Sequence, residues 1–584
     1  MDSIEPRLRS EPQARESAPA PATRSPLQAL ALAAFFLSGF TGLALEVLWA
    51  RTLFGFIVAG AQAFHILLAT LLVGLALGGV VGAGIADKVK VPNIAAGVAF
   101  VFVGALVMVG LDQIGHLEAL GVARTRTDSP PFAAIIGLVA PAAFAMGALF
   151  PLLVKGLLTD ASRLGSDAGR YYAVNTLGTV LGALSASFIA IPALGVSQST
   201  VVIALLDVGM GIVLVFTARG AHRLTVPTLI TVGVAALFTM VRAPAQWDAF
   251  HTAIQKQASR EFPDWAEEVA FVEGSESTVS MYRRNNSYRV VVNAFPFVAL
   301  STNETKLMAH VPMLAAPEPL RTLVICFGMG NTYRSALSYG GRVDIAEINA
   351  HIPQFTRIHR GPDDRTLSHP NGRVFINDGR NHLLMSSERY DMITVDPAPP
   401  ISSMGMQNLY SREFFELGRE HLTERGIMMQ WTPSSPRDFL PILRAFLDVF
   451  PYVQLFQGLD YPDAHYLLGS RVPIVYDEAV VTERLGRPAV RADIDEFTPG
   501  YFGVDALRKM YRTDGTPLRE LTANIEPLTD DRPILEFSFL QPPEPRRFFN
   551  VPDNRRTSLP WNPAPIPQAE PRTPPGDAPA APVP

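Results

Sequence analysis

Between Thr322 and Asp396 the sequence runs through four short apolar segments, each closed by glycine or a carboxylate, and this alternation restricts the fold more than any other feature. The first, Thr322-Leu-Val-Ile-Cys326, leads into Phe-Gly328-Met-Gly330 and the helix-compatible stretch up to Leu337. The second, Arg342-Val-Asp-Ile-Ala-Glu347, ends in an acidic residue about 20 positions after the glycines. The third, Val374-Phe-Ile-Asn-Asp378-Gly379, and the fourth, Tyr390-Asp-Met-Ile-Thr-Val-Asp396, end in aspartate. Apolar strands separated by helical spacers describe a doubly wound α/β sheet, in which a ligand lies across the carboxyl ends of the strands. Gly328 and Gly330 let backbone approach a ligand closely, and Glu347 is placed to accept hydrogen bonds from two ribose hydroxyls. Asp378 suits an exocyclic amine such as adenine's, and Asp396 stands where a reacting group would lie. Strand-end Asp and Gly also cap helices and turn loops; the set of four together favours a nucleoside site.

A chain of 584 residues exceeds one core, so several domains are expected. A mean hydropathy of +0.19 and a charged fraction of 18% point to membrane spans. Seven spans are read in the apolar half: Leu27–Trp49, Ala63–Ala86, Ile94–Leu111, Phe132–Val154, Tyr171–Leu194, Thr200–Thr217 and Leu224–Val241. Gly74, Gly78 and Gly82 flatten one face of the second, and Asn175, Gly178 and Gly182 can do the same in the fifth. Glu46 is the ionisable residue that stands out, a membrane candidate by default, with His65 and Asp207 weaker ones. An interfacial contact between Glu46 and Arg51 reads equally well. Lys88, Lys90, Lys155, Arg163, Arg170, Arg219 and Arg223 share the side of Arg24, whereas Arg51, Arg124, Arg126 and Arg242 fall on the other. This places the amino terminus in the cytoplasm. An odd number of spans then puts the nucleoside domain outside, unless one span is miscounted; the reading leans to the cytoplasmic face, because nucleotide cofactors are supplied there.

The remaining organisation follows in order. Residues 1–25 form a polar tail without periodicity, 26–242 the membrane domain and 243–271 an amphipathic linker. Residues 272–320 hold a small β unit and a connecting helix, with a hairpin around Arg284-Asn-Asn-Ser287. Residues 321–540 form the α/β domain, with Ser411 as a helix N-cap, and 541–584 a proline-rich tail. The single cysteine, Cys326, forms no intramolecular disulfide and reads as a small core hydrophobe. A net charge of −5 suggests no nucleic-acid partner. The acidic pair in Thr529-Asp-Asp-Arg532 reads as an ion-pair turn, and no metal site is expected.

Several stretches together resemble the spermidine synthase (aminopropyltransferase) family, in its membrane-fused branch. They are Ser38-Gly-Phe-Thr-Gly-Leu-Ala-Leu-Glu-Val-Leu-Trp-Ala-Arg51, Tyr172-Ala-Val-Asn-Thr-Leu-Gly178, Ala309-His-Val-Pro312, Gly328-Met-Gly330, Glu347, Asp378-Gly379, Asp396 and Leu409-Tyr-Ser-Arg-Glu-Phe414. The resemblance implies a multi-pass helical membrane domain followed by a class I methyltransferase-like α/β domain with a small β unit before it. It implies that Gly328, Gly330 and Gly379 line the nucleoside pocket, that Glu347 holds the ribose and that Asp378 reads adenine. Asp396 would orient or deprotonate the amine that displaces methylthioadenosine from a sulfonium centre. S-adenosylmethionine or its decarboxylated form would be the substrate, with no metal. Partners would be a small amine or other acceptor and the lipid bilayer, and a homodimer is compatible. Glu304, Lys306 and Tyr410 fall at acceptor-binding positions.

The departures fall on the amine sites. Met329 stands where the family has an aspartate that contributes to the donor's amine site, Pro399 replaces its second aspartate, and Glu304-Thr-Lys306 replaces Tyr-His-Glu. A polyamine site surrounds ammonium groups with carboxylates because an unpaired buried charge is costly. That cage is eroded here, and Lys306 would repel a cation. The expected function is therefore a membrane-bound, synthase-like transferase with a non-standard acceptor. A transporter or sensor with a non-catalytic nucleoside domain, and a methyltransferase, are the competing readings.

Overall fold

The computed structural model describes residues 26–56, 60–117, 132–157, 164–217, 225–261, 263–265, 267–293, 295–296, 302–318, 320–397, 405–433, 435–462 and 464–536. The two expected tails, Arg24, Arg124, Arg126, Arg163, Arg219, Arg223 and Pro399 lie outside these residues. The described residues include seven helices long and apolar enough to cross a membrane. These are α1 (Pro26–Phe54), α2 (Gly60–Lys88), α3 (Pro92–Leu117), α4 (Phe132–Leu157), α5 (Leu164–Ser185), α6 (Val196–Thr217) and α7 (Val226–Gln246). Helix α5 continues through a π-turn, Ala186–Ala190, to Leu194. Gly195, at φ +84°, then breaks the chain direction before α6.

Small residues set the spacing of these helices, because close backbone approach is what packs apolar helices in an apolar solvent. A Cβ on Gly78 would stand 1.9 Å from the Phe144 carbonyl oxygen, and one on Gly82 2.6 Å from the Ala148 Cα. On α5, Gly178 and Gly182 each lie on a carbonyl of α1, those of Phe36 and Phe40, and Asn175 donates to the Phe35 carbonyl at 3.0 Å. Contacts in both pairs advance in the same direction, so α2 runs parallel to α4 and α1 to α5. Gly97 against Gly211 and Gly104 against Ala204 make α3 and α6 antiparallel. The carboxyl ends of α1 and α5 therefore share one end of the bundle. Lys88 and Lys155, the latter 3.6 Å from Asp87, share the other. Glu46 is half-buried on α1. The Glu46–Arg51 contact is not formed, because Arg51 donates instead to the carbonyl of Gly274 at 2.8 Å.

Helix α8 (Ala249–Glu261) leads to a four-stranded antiparallel sheet of β1 (Glu267–Glu273), β2 (Thr278–Arg284), β3 (Ser287–Val292) and β4 (Phe295–Pro296). The hairpin β2–β3 is the expected one, closed at Asn285 with φ +53°. Strand β1 falls mostly in the segment read as a linker; glutamates at both its ends hide the apolar Val269–Val272 centre. Helix α9 (Glu304–Met313) connects to the large sheet.

That sheet has the order β12-β10-β11-β9-β8-β5-β6-β7. Strands β5 (Arg321–Ile325), β6 (Arg342–Glu347), β7 (Gly372–Ile376), β8 (Tyr390–Val395) and β9 (Leu422–Pro433) pair in parallel. Strands β10 (Tyr452–Gln457), β11 (Ala464–Ser470) and β12 (Tyr511–Asp514) complete it in antiparallel pairing. The buried run Leu323-Val-Ile325 makes β5 an interior strand. The chain crosses from β5 to β6 and β7 on one side and to β8 on the other. The carboxyl ends of β5 and β8 therefore flank the point where the winding reverses, the position at which such sheets bind ligands.

The glycine contacts are testable. Gly78→Leu should destabilise the helical half by about 1 to 3 kcal/mol or more, read as a lower melting temperature in detergent. Gly84→Ala, with no atom within 4 Å of its added Cβ, should match wild type. Equal effects would contradict the packing.

Candidate active site

The turn leaving β5 is built from left-handed residues: Cys326 at φ +74°, Gly328 at +53° and Gly330 at +76°. An L-residue in that region costs about 1 to 2 kcal/mol. Cys326 is held there by its amide, which donates to the Ala346 carbonyl at 3.0 Å. Cys326 thus sits half-buried just past the strand rather than inside it, a correction to its reading as a strand-interior residue. A Cβ on Gly328 would meet nothing within 4 Å, whereas one on Gly330 would meet the Phe327 ring at 2.9 Å. Gly330 begins α10 (Asn331–Leu337).

The Glu347 carboxylate closes this turn. One oxygen accepts from the Phe327 amide and the other from the Asn349 amide, both at 2.8 Å. Burial raises the Glu347 carboxyl above its ordinary value, opposed by the amides of Asn349, Phe327 and Ile348. Asp396, on the neighbouring strand end, has its amide bound to the Ile325 carbonyl at 3.1 Å. Thr332 Oγ1 lies 2.9 Å from the Thr305 carbonyl and 3.4 Å from Asp396 Oδ2. The closer contact takes the better share of its single proton. Burial pushes the Asp396 carboxyl up to about 6. Tyr410 is fully buried, and its hydroxyl makes no hydrogen bond to the described residues. Burial raises that phenol first, and the nearby Cys326 and Asp396 add to the effect. Cys326, Asp396, Tyr410 and Glu347 thus gather around one strand end.

Asp378 lies one strand further out, half-buried, and accepts from the Asn381 amide at 2.9 Å as the N-cap of α11 (Gly379–Met385). Gly379 is required by packing, since a Cβ there would stand 2.3 Å from Ile325 Cγ2. Glu304 is buried and accepts four hydrogen bonds from the Leu459 and Asp460 amides and the Tyr466 and Tyr501 hydroxyls, at 2.6 to 3.1 Å. Burial and the Glu304 carboxylate raise the Tyr466 phenol, with a further contribution from Asp396. Lys306 is buried against residues far along the chain, 2.6 Å from Glu496 and 3.4 Å from Asp493. Asp493, on α12 (Pro488–Ile494), also meets His310 at 3.0 Å and Ser335 at 2.6 Å. Burial alone would raise the Asp493 carboxyl, but His310, Lys306 and Ser335 hold it well below the usual range. The Lys306 charge is therefore neutralised where it lies.

Sequence reasoning missed Asn349, Thr332, Tyr466, Tyr501, Asp493 and Glu496. Thr332 and Asn349 sit within the motif stretch, at helix-start and turn positions that carry no distinctive signal. The partners of Glu304 and Lys306 lie 155 to 197 positions away, beyond any local pattern.

Residues 302–439 match the family described as the spermine/spermidine synthase domain. Over 172 residues the chain is 26% identical to a polyamine aminopropyltransferase of Alkaliphilus metalliredigens, covering 28% of this chain and 60% of that one. It is 25% identical over 187 residues to one of Bacillus cytotoxicus, covering 30% and 66%. Among solved structures, a spermidine synthase from Thermotoga maritima aligns at 16% identity and a TM-score of 0.37, covering 44% of this chain and 88% of that chain. The chain spans less than two thirds of the length of both aminopropyltransferases.

The raised Asp396 carboxyl has a sign that can be checked. Between its ordinary 3.8 and about 6, the folded chain keeps a proton that the unfolded chain has lost. Asp396 therefore stabilises less as pH rises through that window. The melting temperature of Asp396→Asn minus that of wild type should grow from about pH 4 to about pH 6 and then level off. A difference independent of pH would contradict the assignment.

Proposed function

We propose, from the premise that residues 302–439 carry a spermine/spermidine synthase domain, that this protein is a membrane-held transferase acting on an adenosyl-sulfonium donor. The donor is S-adenosylmethionine or its decarboxylated form, and methylthioadenosine is released. The acceptor lone pair forms a bond to the donor's propyl carbon next to sulfur. The carbon–sulfur bond breaks with its electron pair passing to sulfur, and Asp396 accepts the acceptor's proton. A cationic sulfur is already a good leaving group, so positioning and a nearby base carry the rate. The observation that carries this reading is the place of Asp396, its amide bound to the last residue of β5 at 3.1 Å, beside the turn that Glu347 closes; burial there pushes its carboxyl up to about 6. A base so poised is ionised at neutral pH yet still accepts a proton readily.

In this reading Gly328 and Gly330 admit the nucleoside, Glu347 takes the ribose hydroxyls and Asp378 the adenine amine. The acceptor is non-standard. Glu304 is already saturated by neutral donors, and Asp493 and Glu496 are committed to Lys306, so none of these three carboxylates is left to hold a second ammonium group. Tyr410, whose hydroxyl has no hydrogen-bond partner among the described residues and lies near Asp396, is the group we assign to meet the acceptor.

Asp396→Asn should lower methylthioadenosine release by about 10² to 10⁴ while nucleoside binding persists. Wild-type turnover should rise through about pH 6. Unchanged turnover in the variant would remove the mechanism. Binding without product would favour a sensor, and S-adenosylhomocysteine as product would favour methyl transfer.

The seven apolar helices serve as the membrane anchor. The odd number of such helices among the described residues supports an α/β half on the face opposite the amino end of α1, with Lys88, Lys90, Lys155 and Arg170 at the end remote from it. By the positive-inside rule that remote end is cytoplasmic and the site faces away from the cytoplasm. This reading sets charge above cofactor supply. A reporter fused after Glu536 should be active only if it requires export, and activity of a cytoplasm-requiring reporter at that point would reverse the assignment.

A further inference from the structure

The turn between β1 and β2 is gripped from both sides. On the membrane side, the buried Arg51 guanidinium, at the end of α1, donates to the Gly274 carbonyl at 2.8 Å. Glu273 and Glu276 of the same turn are its neighbouring counter-charges. Glu273 in turn accepts from the Val196 amide at 2.8 Å, at the start of α6. On the site side, Ser277 Oγ accepts from Asn349 Nδ2 at 2.7 Å, and both residues are buried. The Asn349 amide is one of the two donors that fix Glu347. The Asn349 side-chain oxygen also accepts from the His351 amide at 2.8 Å, so the residue is held at three points. Packing is equally close: a Cβ on Gly274 would stand 3.2 Å from the His351 ring.

A tether between two halves needs contacts with the helix ends alone. Here the same turn also carries a bond, two residues from Glu347, that orients the amide on which the carboxylate rests. We infer that Arg51 of the first apolar helix is a positioning residue for Glu347, acting through the Gly274–Ser277 turn and Asn349. The inference rests on reading Glu347 as the ribose-binding group. It makes the helical half part of the site's construction. The planar guanidinium suits this role, since it presents donors in a fixed fork to a carbonyl while flanked by carboxylates. Lysine, a flexible point charge, would restore the bond incompletely.

The test uses the full chain purified in detergent, with Arg51→Ala, Arg51→Lys and Ser277→Ala. Two quantities are read: hydrogen exchange at the Phe327 and Asn349 amides, and the affinity for methylthioadenosine by calorimetry. Arg51→Ala and Ser277→Ala should both accelerate exchange at these amides and weaken binding by about three- to tenfold. Arg51→Lys should fall between Arg51→Ala and wild type. The double variant Arg51→Ala/Ser277→Ala should be no worse than the stronger single one, as expected for two links of one chain. Arg242→Ala, which removes the ion pair to Asp112 elsewhere in the helical half, should leave both readings unchanged. Wild-type exchange at both amides in Arg51→Ala and in Ser277→Ala would overturn the inference, whatever happens to the melting temperature. Accelerated exchange in a chain whose wild type binds no methylthioadenosine would support the mechanical link and remove the nucleoside reading.

Discussion

The structure depends on one carboxylate accepting two backbone amides. Glu347 ends β6 and holds the Phe327 amide of the turn after β5 and the Asn349 amide of its own turn. Without it, a run with three left-handed residues in five, one of them a cysteine, would have little to fix it. The bonds that keep the turn in place also leave the open face of Gly328 clear. Backbone donors engage a carboxylate without introducing charge. Burial therefore still raises Glu347.

Four carboxylates of the α/β half, Asp344, Asp493, Glu347 and Asp396, show two contrasting environments. Asp344, fully buried, is closed by Arg373 in a two-point ion pair at 2.6 and 2.7 Å. Asp493 is surrounded by His310, Lys306 and Ser335 and lies low. These fasten strand to strand and the late helices to α9, and breaking either would leave an uncompensated buried charge. Among the described residues Glu347 and Asp396 have no cationic partner, and burial raises both. The raised carboxyls stand at strand ends, whereas Asp344 and Asp493 are held by cations.

The sequence made the strand ends legible because each pairs an apolar run with a residue type that has a specific backbone or charge role. The helical half was legible through hydropathy and through glycines four positions apart, which the structure places against Phe144, Ala148, Phe36 and Phe40. What stayed hidden was long-range. The glutamates flanking β1 cancelled its apolar signal, and Lys306 read as a repelling charge because its partners lie nearly 190 positions later. Arg51 looked like a partner for Glu46 on its own helix, but a carbonyl 223 positions away claimed it. Cys326 read as a strand residue because nothing local distinguishes the last apolar position of a strand from the first left-handed one beyond it.

The two halves are built to one another rather than merely joined. Arg51 of α1 donates to the Gly274 carbonyl and Glu273 accepts from the Val196 amide of α6, both at 2.8 Å. Phe250 of α8 seats beside the same two helices, its ring edge-on to Phe56 at 5.8 Å and its amide donating to Ser197 at 2.7 Å. The central claim remains the chemistry at the end of β5, and it is tested most directly by a structure determined with methylthioadenosine. The account predicts ribose density within hydrogen-bonding distance of Glu347, with the thioether sulfur turned toward Asp396. Density elsewhere on the α/β half, or none at saturating nucleoside, would contradict it.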